Sequence, residues 1–449
     1  MTVLTAAQPA LDSGDTAWLL VATALVLLMA PGLALFYGGM VRSKSVLNMM
    51  MMTFGALAVV VVLWTVVGYS LAFGDDLGGG LIGDPLQHLG LADLLGGASN
   101  GSGTVPMVLY AVFQGLFCVI TGALVSGAIA DRARFGAWIA FVSVWTLLVY
   151  APVAHWVFAT GTPANPGGGW LVSRTGLIDF AGGTAVEICS GASALALALV
   201  LGRRVGFGSE PLRPHNLTLV MLGAGLLWFG WFGFNAGSAL AANQTAAEVF
   251  TTTLVAGAAG TLGWLVLERF RDGHATSLGA ASGMVAGLVA ITPSCASVSP
   301  LGAVVIGAGG AVVCAYAIGL KHRLGYDDSL DVVGVHMVGG IVGTLGIGLL
   351  ATASAPTHVD GLLLGGGAGQ LGKQLVGVVA VMAYAFIVSG VLGLAVDRLM
   401  GFRVDRDDEV AGIDLAVHAE TAYDLHTLTT GRSLGHGLLR PLTRPGEDR

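Results

Sequence analysis

Two ionisable side chains, Glu187 and His336, fall well inside apolar stretches of a 449-residue chain that is 55% hydrophobic and 10% charged. A carboxylate and an imidazole together can accept, hold and pass on a proton. Holding either group in lipid is costly, so by default such residues mark a substrate or proton path. The plainer alternative is a structural hydrogen bond between helices, which Ser, Thr or Asn would supply at lower cost. A Glu in that setting must be neutral or paired, because desolvation disfavours its charged form and a nearby imidazolium favours it.

A second set of side chains is aromatic. Phe113 and Phe117 are four apart and so share a helix face. Phe158 closes one apolar stretch, and Trp231 and Phe234 lie near the end of another. Ring faces attract a small cation, and rings at a mouth also plug a narrow pore. Interfacial anchoring or packing accounts for the same positions without any function. Ser238, about one turn beyond Phe234, offers a hydroxyl oxygen to a bound N–H donor. Asp179 opens the segment Asp179-Phe180-Ala181-Gly182-Gly183-Thr184. A carboxylate at a helix start accepts orphan backbone N–H groups and suits the dipole, which favours a cap over substrate contact.

The elements that must position these groups are membrane spans. Length alone suggests two or three soluble domains, but a mean hydropathy of +0.80 leaves too few polar residues to cover a water-facing surface. The 70 glycines suit close helix packing in lipid. Windows long enough to cross roughly 30 Å of hydrocarbon fall at 16–40, 46–73, 104–130, 136–159, 180–201, 217–239, 247–268, 277–292, 299–320, 332–352 and 374–399. The fold class expected is therefore an all-α polytopic membrane protein with eleven transmembrane helices, its termini on opposite faces. Arg42, Lys44, Arg132, Arg134, Arg203, Arg204, Arg213, Arg269, Arg271, Lys321, Arg323 and the residues from Arg398 fall on one side, against Arg174 and Lys373 on the other. The positive-inside rule then puts the N-terminus outside and the C-terminus in the cytoplasm. The loop from Gly74 to Gly103, with four aspartates and no Lys or Arg, agrees. No basic n-region precedes the first span, and Pro9, Asp12 and Asp15 stand there instead, so no cleavable signal peptide is expected.

Five spans followed by five more have opposite orientations, the arrangement of inverted-repeat transporters with a midplane site. Span one ends Leu35-Phe36-Tyr37-Gly38-Gly39, and span six ends Trp231-Phe232-Gly233-Phe234-Asn235-Ala236-Gly237. Phe36, Tyr37, Phe113 and Trp231 are accordingly placed in the pore lining. Span five opens at Asp179 and holds Glu187, while span ten opens at Asp331 and holds His336. These are equivalent spans running in opposite directions, so both side chains approach the middle of one pore. The last span lies outside the five-plus-five repeat. Two domains follow: residues 1–400 as the transmembrane unit and 401–449 as a cytoplasmic tail.

Other chemistry is set aside. Thr65-Val66-Val67-Gly68-Tyr69 is one residue too long for a potassium filter, and after Gly367–Lys373 the residue Gln374 replaces the Ser or Thr of a phosphate loop. Cys118, Cys189, Cys295 and Cys314 have no metal spacing, and there is no HExxH or GxSxG. No enzyme activity, metal or cofactor is expected, and with no basic patch no nucleic-acid partner.

The long motifs Pro31-Gly32-Leu33-Ala34-Leu35-Phe36-Tyr37-Gly38-Gly39, Asp179 to Thr184, Gly230-Trp231-Phe232-Gly233-Phe234-Asn235-Ala236-Gly237-Ser238 and Gly334-Val335-His336 carry a resemblance. From Asp15 to about Tyr423 the chain resembles the ammonium transporters of the Amt/Mep/Rh superfamily, in particular the bacterial Amt branch. The resemblance implies a homotrimer in the cell membrane, each subunit with its own pore for ammonium or ammonia, serving nitrogen assimilation. By the same resemblance Phe117 and Phe234 are the stacked gate. Ser238, Phe117, Phe158 and Asp179 belong to the outer ammonium-recruiting site, and His336 is the second member of a twin-histidine pore pair. The tail from Gly401 through Tyr423 is similar to a coupling segment near which PII-type signal proteins dock at the cytoplasmic face.

Two positions depart from the bacterial pattern. Glu187 stands at the first pore-histidine position, as in some fungal members, and Phe158 stands where Trp is usual. Loss of an indole N–H with retention of a ring face implies weaker external cation capture. An ammonium ion entering an apolar pore unneutralised meets a large desolvation cost. The expected route therefore captures the cation, removes its proton, passes ammonia and relays the proton through Glu187 and His336. Two alternatives stand beside it: an ammonium sensor acting through the tail with little flux, and a channel for another small gas.

Overall fold

A computed structural model of the chain describes residues 10–96, 103–161, 167–210 and 212–423. Pro9 and the part of the expected tail beyond Tyr423 lie outside the described residues. Among the described residues ten long apolar helices and one shorter one run α1 (Ser13–Met40), α2 (Val46–Phe73), α3 (Met107–Ile129), α4 (Phe135–Phe158), α5 (Gly183–Leu201), α6 (Leu217–Gly237), α7 (Gln244–Arg271), α8 (Ser277–Ile291), α9 (Pro300–Leu324), α10 (Val333–Leu350) and α11 (Gly369–Met400). A short α12 (Arg406–Ala411) follows. Among the described residues the strand content is one small antiparallel hairpin, β1 (Asp76–Leu77) with β2 (Ile82–Gly83), in the loop after α2.

Ten of these helices are long and apolar enough to cross a membrane; α8 has only 15 residues. At 1.5 Å per residue α8 covers about 22 Å, short of the roughly 30 Å of a hydrocarbon core. The chain continues from it through Thr292–Val298, which is non-helical and buried throughout. Irregular backbone is tolerated at such depth where protein covers it.

Local chemistry sets many of the helix starts. Asp12, Asn216, Asn243, Thr276 and Ser299 each accept a backbone N–H three residues on, satisfying donors that a helix start leaves orphaned. Glycine sets the closeness of packing. The most extensive pairing joins α1 to α6, where a Cβ on Gly223 would lie 2.3 Å from the Phe36 backbone nitrogen and one on Gly39 2.7 Å from the Asn216 carbonyl. Such contacts supply the van der Waals packing on which helix association in lipid depends.

The same device crosses α5 over α10. A Cβ on Gly191 would meet the Met337 backbone at 2.5 Å, and one on Gly340 would meet the Gly183 carbonyl at 2.8 Å and Glu187 Cβ at 2.9 Å. Gly340→Ala is therefore expected to lower thermal stability in detergent by about 1–3 kcal/mol through overpacking. Gly372→Ala, whose added methyl meets open space, should leave the melting temperature unchanged.

One face of the bundle carries the basic loops and is tied by buried ion pairs. Arg204 donates to Asp327 from Nε (2.9 Å), from Nη2 (2.8 Å) and from its backbone N–H (2.7 Å). Arg132, fully buried, reaches Ser329 and the Asp327 carbonyl, each at 2.6 Å. Burial pushes the Asp327 carboxyl up, but Arg204 outweighs it and holds the group below its ordinary value. The segment after α11 docks on this face. Glu409, buried, accepts the Val205 N–H (2.6 Å) and takes Arg403 at 2.7 Å. The start of α2 lacks a side-chain cap of its own, and Asp414 serves instead, accepting from Leu47 N (3.0 Å) and Asn48 N (2.8 Å).

Candidate functional site

At the α5–α10 crossing, His336 Nδ1 lies 2.7 Å from Glu187 Oε2. Both side chains are buried, with Glu187 1% and His336 5% exposed. Each sits on a π-helical turn at the start of its helix, Gly183–Ile188 and Val333–Met337, a local widening that recurs at functional sites. An oxygen and a nitrogen at this distance share one exchangeable proton. Counting both ring nitrogens and the carboxylate, the pair is neutral with two exchangeable protons and carries one negative charge with one.

Next to the pair lies a narrow passage. Its open space is about 10 Å³, at the lower limit for a single water molecule. Apolar groups such as Leu33, Phe36, Ile120 and Val285 line it together with Glu187 and His336. Phe234 and Trp231 also line it. There the Phe234 ring stacks on Phe117 with centroids 4.1 Å apart and planes 17° from parallel. Trp231 tilts onto Phe234 at 5.9 Å and is fixed by its Nε1–H bond to Thr292 Oγ1 (2.9 Å). Phe113 meets Phe117 edge to face at 5.0 Å. Tyr37 and Phe36 line the next cavity beyond His336, where the Tyr37 hydroxyl donates to the Leu124 carbonyl at 3.2 Å.

On the other side of the stacked rings, Ser238 donates its hydroxyl proton to the Phe234 carbonyl at 2.8 Å. Its proton is thus committed, which leaves its oxygen lone pairs to accept from a donor. Asp179 uses both oxygens within its own segment. Oδ1 accepts Gly182 N (2.8 Å) and Gly183 N (2.6 Å), and Oδ2 accepts Thr184 N (2.7 Å), Thr184 Oγ1 (2.5 Å) and Ala185 N (3.3 Å). Phe158, half-buried at the end of α4, lies by the same turn: a Cβ on Gly182 would come 3.7 Å from its Cζ.

The counterpart of Asp179 in α10 differs from the sequence expectation. Asp331 opens the helix in sequence, but Asp328 caps it, accepting Val332 N (3.1 Å) and Val333 N (2.7 Å). Asp331 turns instead to Lys321 Nζ at 2.6 Å. Asp179 precedes Glu187 by the same eight residues that separate Asp328 from His336, a spacing visible in the sequence that would have found it. Burial pushes the Asp328 carboxyl up to about 6 against the attraction of Lys321. The anchors Arg132 and Arg204 were read only as loop charges, and Asp327 was not singled out, because nothing in their local sequence signals burial.

Comparison with known proteins identifies the family. A family model described as the Ammonium Transporter Family matches residues 17–423. An ammonium transporter of Mycobacterium tuberculosis strain H37Rv is 55% identical over 433 residues, covering 92% of this chain and 91% of the relative. Among solved structures, Saccharomyces cerevisiae Mep2 superposes with a TM-score of 0.80 at 37% identity over 88% of each chain. A protein described as a sensor Amt protein does so with 0.81 at 28% identity, over 90% of this chain and 98% of that one. The chain is a multi-pass membrane protein that belongs to the Ammonium Transporter Family.

Proposed function

We propose that this chain carries ammonium across the plasma membrane by capturing the cation outside, removing its proton and passing ammonia through the apolar passage while Glu187 and His336 relay the proton. The observation that carries the reading is the 2.7 Å Glu187–His336 contact set in a space of about 10 Å³ behind two stacked rings. A cation would shed its water there at great cost, whereas ammonia meets no charge penalty. The capture site consists of the Phe117 and Phe158 ring faces and the Ser238 lone pairs, with Asp179 holding the local backbone. Phe117 and Phe234 are the gate.

Eleven crossings, the N-terminus outside and the basic face in the cytoplasm complete the topology, with α8 and the buried turn after it as the eighth crossing. The equal Asp179–Glu187 and Asp328–His336 spacings support an inverted five-plus-five repeat. Residues 401 onward form the regulatory segment, the unit is a homotrimer, and the tail is where a PII-type protein would act. Homologues named as transporters support a non-enzymatic role. A carboxylate in the pore also tolerates a bare cation better than a second imidazole would, so potassium discrimination is looser than in twin-histidine members.

Proteoliposomes on a solid-supported membrane should give ammonium-evoked currents; their absence at full incorporation would sink electrogenic transport. Phe234→Ala, which removes one ring of the stack, is expected to admit water and potassium. A potassium current rising by about tenfold or more is the readout, since opening a dry constriction removes its desolvation barrier. The sensor reading has its own support in the solved sensor Amt neighbour and in the tail docked through Glu409 and Asp414. Full ammonium-dependent binding of a PII-type protein without flux would favour it.

A further inference from the structure

Beyond His336 the passage continues through two further cavities. The first, about 20 Å³, is lined by His336, Tyr37, Trp264, Ser282 and Asp331. The second is a vestibule of about 290 Å³ open towards the basic face, lined by Asp331, Lys321, His322, Phe207 and Glu210. His336 thus stands at the upper joint of the series and Asp331 at the lower one. Asp331 is a partly exposed carboxylate that lines both the small cavity and the vestibule, held at φ 63° in the left-handed region. Asp tolerates that conformation better than most residues.

Left alone, a carboxylate in such a neck would concentrate cations from the vestibule, as a ring of acidic side chains does at a cation channel mouth. It is not alone. Lys321, which follows the break in α9 at Ile318–Gly319, places Nζ 2.6 Å from Asp331 Oδ1 and 2.9 Å from the Asp328 carbonyl. Lys321 is tethered on a flexible stem, so it competes with any free cation for the same oxygen. The Asp328 carbonyl gives its ammonium group a second partner when Asp331 is engaged elsewhere.

We infer that Lys321 is a tethered counter-cation for Asp331, a positioning residue that keeps the cytoplasmic mouth neutral and suppresses cation entry from the cytoplasmic side. The inference rests on the transport reading above and concerns a different step, at the exit rather than at the Glu187–His336 pair. Inward transport ends with ammonia leaving a neutral neck, while ammonium or potassium that has crossed the vestibule past Glu210 meets no free carboxylate at Asp331.

The test uses the full chain in oriented proteoliposomes, with ammonium and potassium currents evoked from each side. Lys321→Met is expected to lower the half-saturating ammonium concentration from the cytoplasmic side by roughly fivefold, the scale of one unscreened charge near a wet surface. It should also raise potassium current from that side and leave the external half-saturation unchanged. Adding Asp331→Asn to that variant should restore the wild-type cytoplasmic value. Unchanged cytoplasmic half-saturation in Lys321→Met, or a double variant that fails to revert, overturns the inference. Should Lys321→Met not assemble, Asp331→Asn alone decides: it leaves Lys321 unpaired, and the cytoplasmic half-saturation must rise. Calorimetric titration of the detergent-purified protein with ammonium needs no flux. A site gained in Lys321→Met and lost in the double variant would uphold the counter-cation role even if the wild type carried no current, and no such site would refute it.

Discussion

Glu187→Gln is expected to cut ammonium-evoked current by about a hundredfold or more, the size of a lost proton-transfer group, with little change in thermal stability. Gln keeps the shape of Glu and still hydrogen-bonds His336 across the 2.7 Å contact. What it cannot do is take up a proton and give it back. A current that survives in Glu187→Gln at normal abundance therefore removes the relay, whatever the gate does. Glu187→His gives the complementary result. Two imidazoles at the same crossing still share a proton, so current should return, and potassium current should fall because the pore no longer carries a carboxylate. Measuring both ions on both variants separates proton relay from simple loss of charge, since Gln and His each remove the negative group but only His can relay.

The chemistry of this pair was legible because two ionisable residues stand out against apolar spans. Their contact was not, because it depends on how closely two helices cross, and that closeness comes from Gly191 and Gly340 meeting backbone atoms of the other helix. Phe117 and Phe234 were identified, whereas their stacking at 4.1 Å depends on α3 and α6 meeting across the bundle. The span limits were read to within a few residues from hydropathy alone. The eighth window ends at residue 292, one beyond the last helical residue Ile291, but hydropathy does not show that the chain then stays buried through Val298. Asp328 was passed over because Asp331 lies nearer the first apolar residue; the cap belongs to the residue whose carboxylate reaches back over a π-helical first turn. The docking of Asp414 on the start of α2 joins positions more than 360 residues apart, which no local pattern reveals.

Asp179→Ala is expected to abolish most folded protein, and Asp179→Asn to lower the melting temperature in detergent sharply. Both carboxylate oxygens are occupied by five donors from Gly182 to Ala185. Alanine leaves several of these backbone N–H groups without partners where α5 begins, at about 1–3 kcal/mol for each one kept from water. Asparagine keeps one acceptor oxygen but turns an NH2 towards the remaining donors, so it loses less without being neutral. Asp328 serves two backbone donors at the start of α10, and Asp328→Asn should lose correspondingly less stability. The comparison also decides what Asp179 does at the capture site. If it acts as a cap, Asp179→Asn protein that survives purification should keep its external half-saturation for ammonium, because Ser238 and the aromatic faces remain. A variant that melts normally but no longer captures ammonium would make Asp179 a direct ligand, and one of its five donors would then have to yield to the cation. Occupation of both oxygens by the backbone argues for the first outcome: a carboxylate already saturated by N–H and O–H donors has little attraction left for a passing ion.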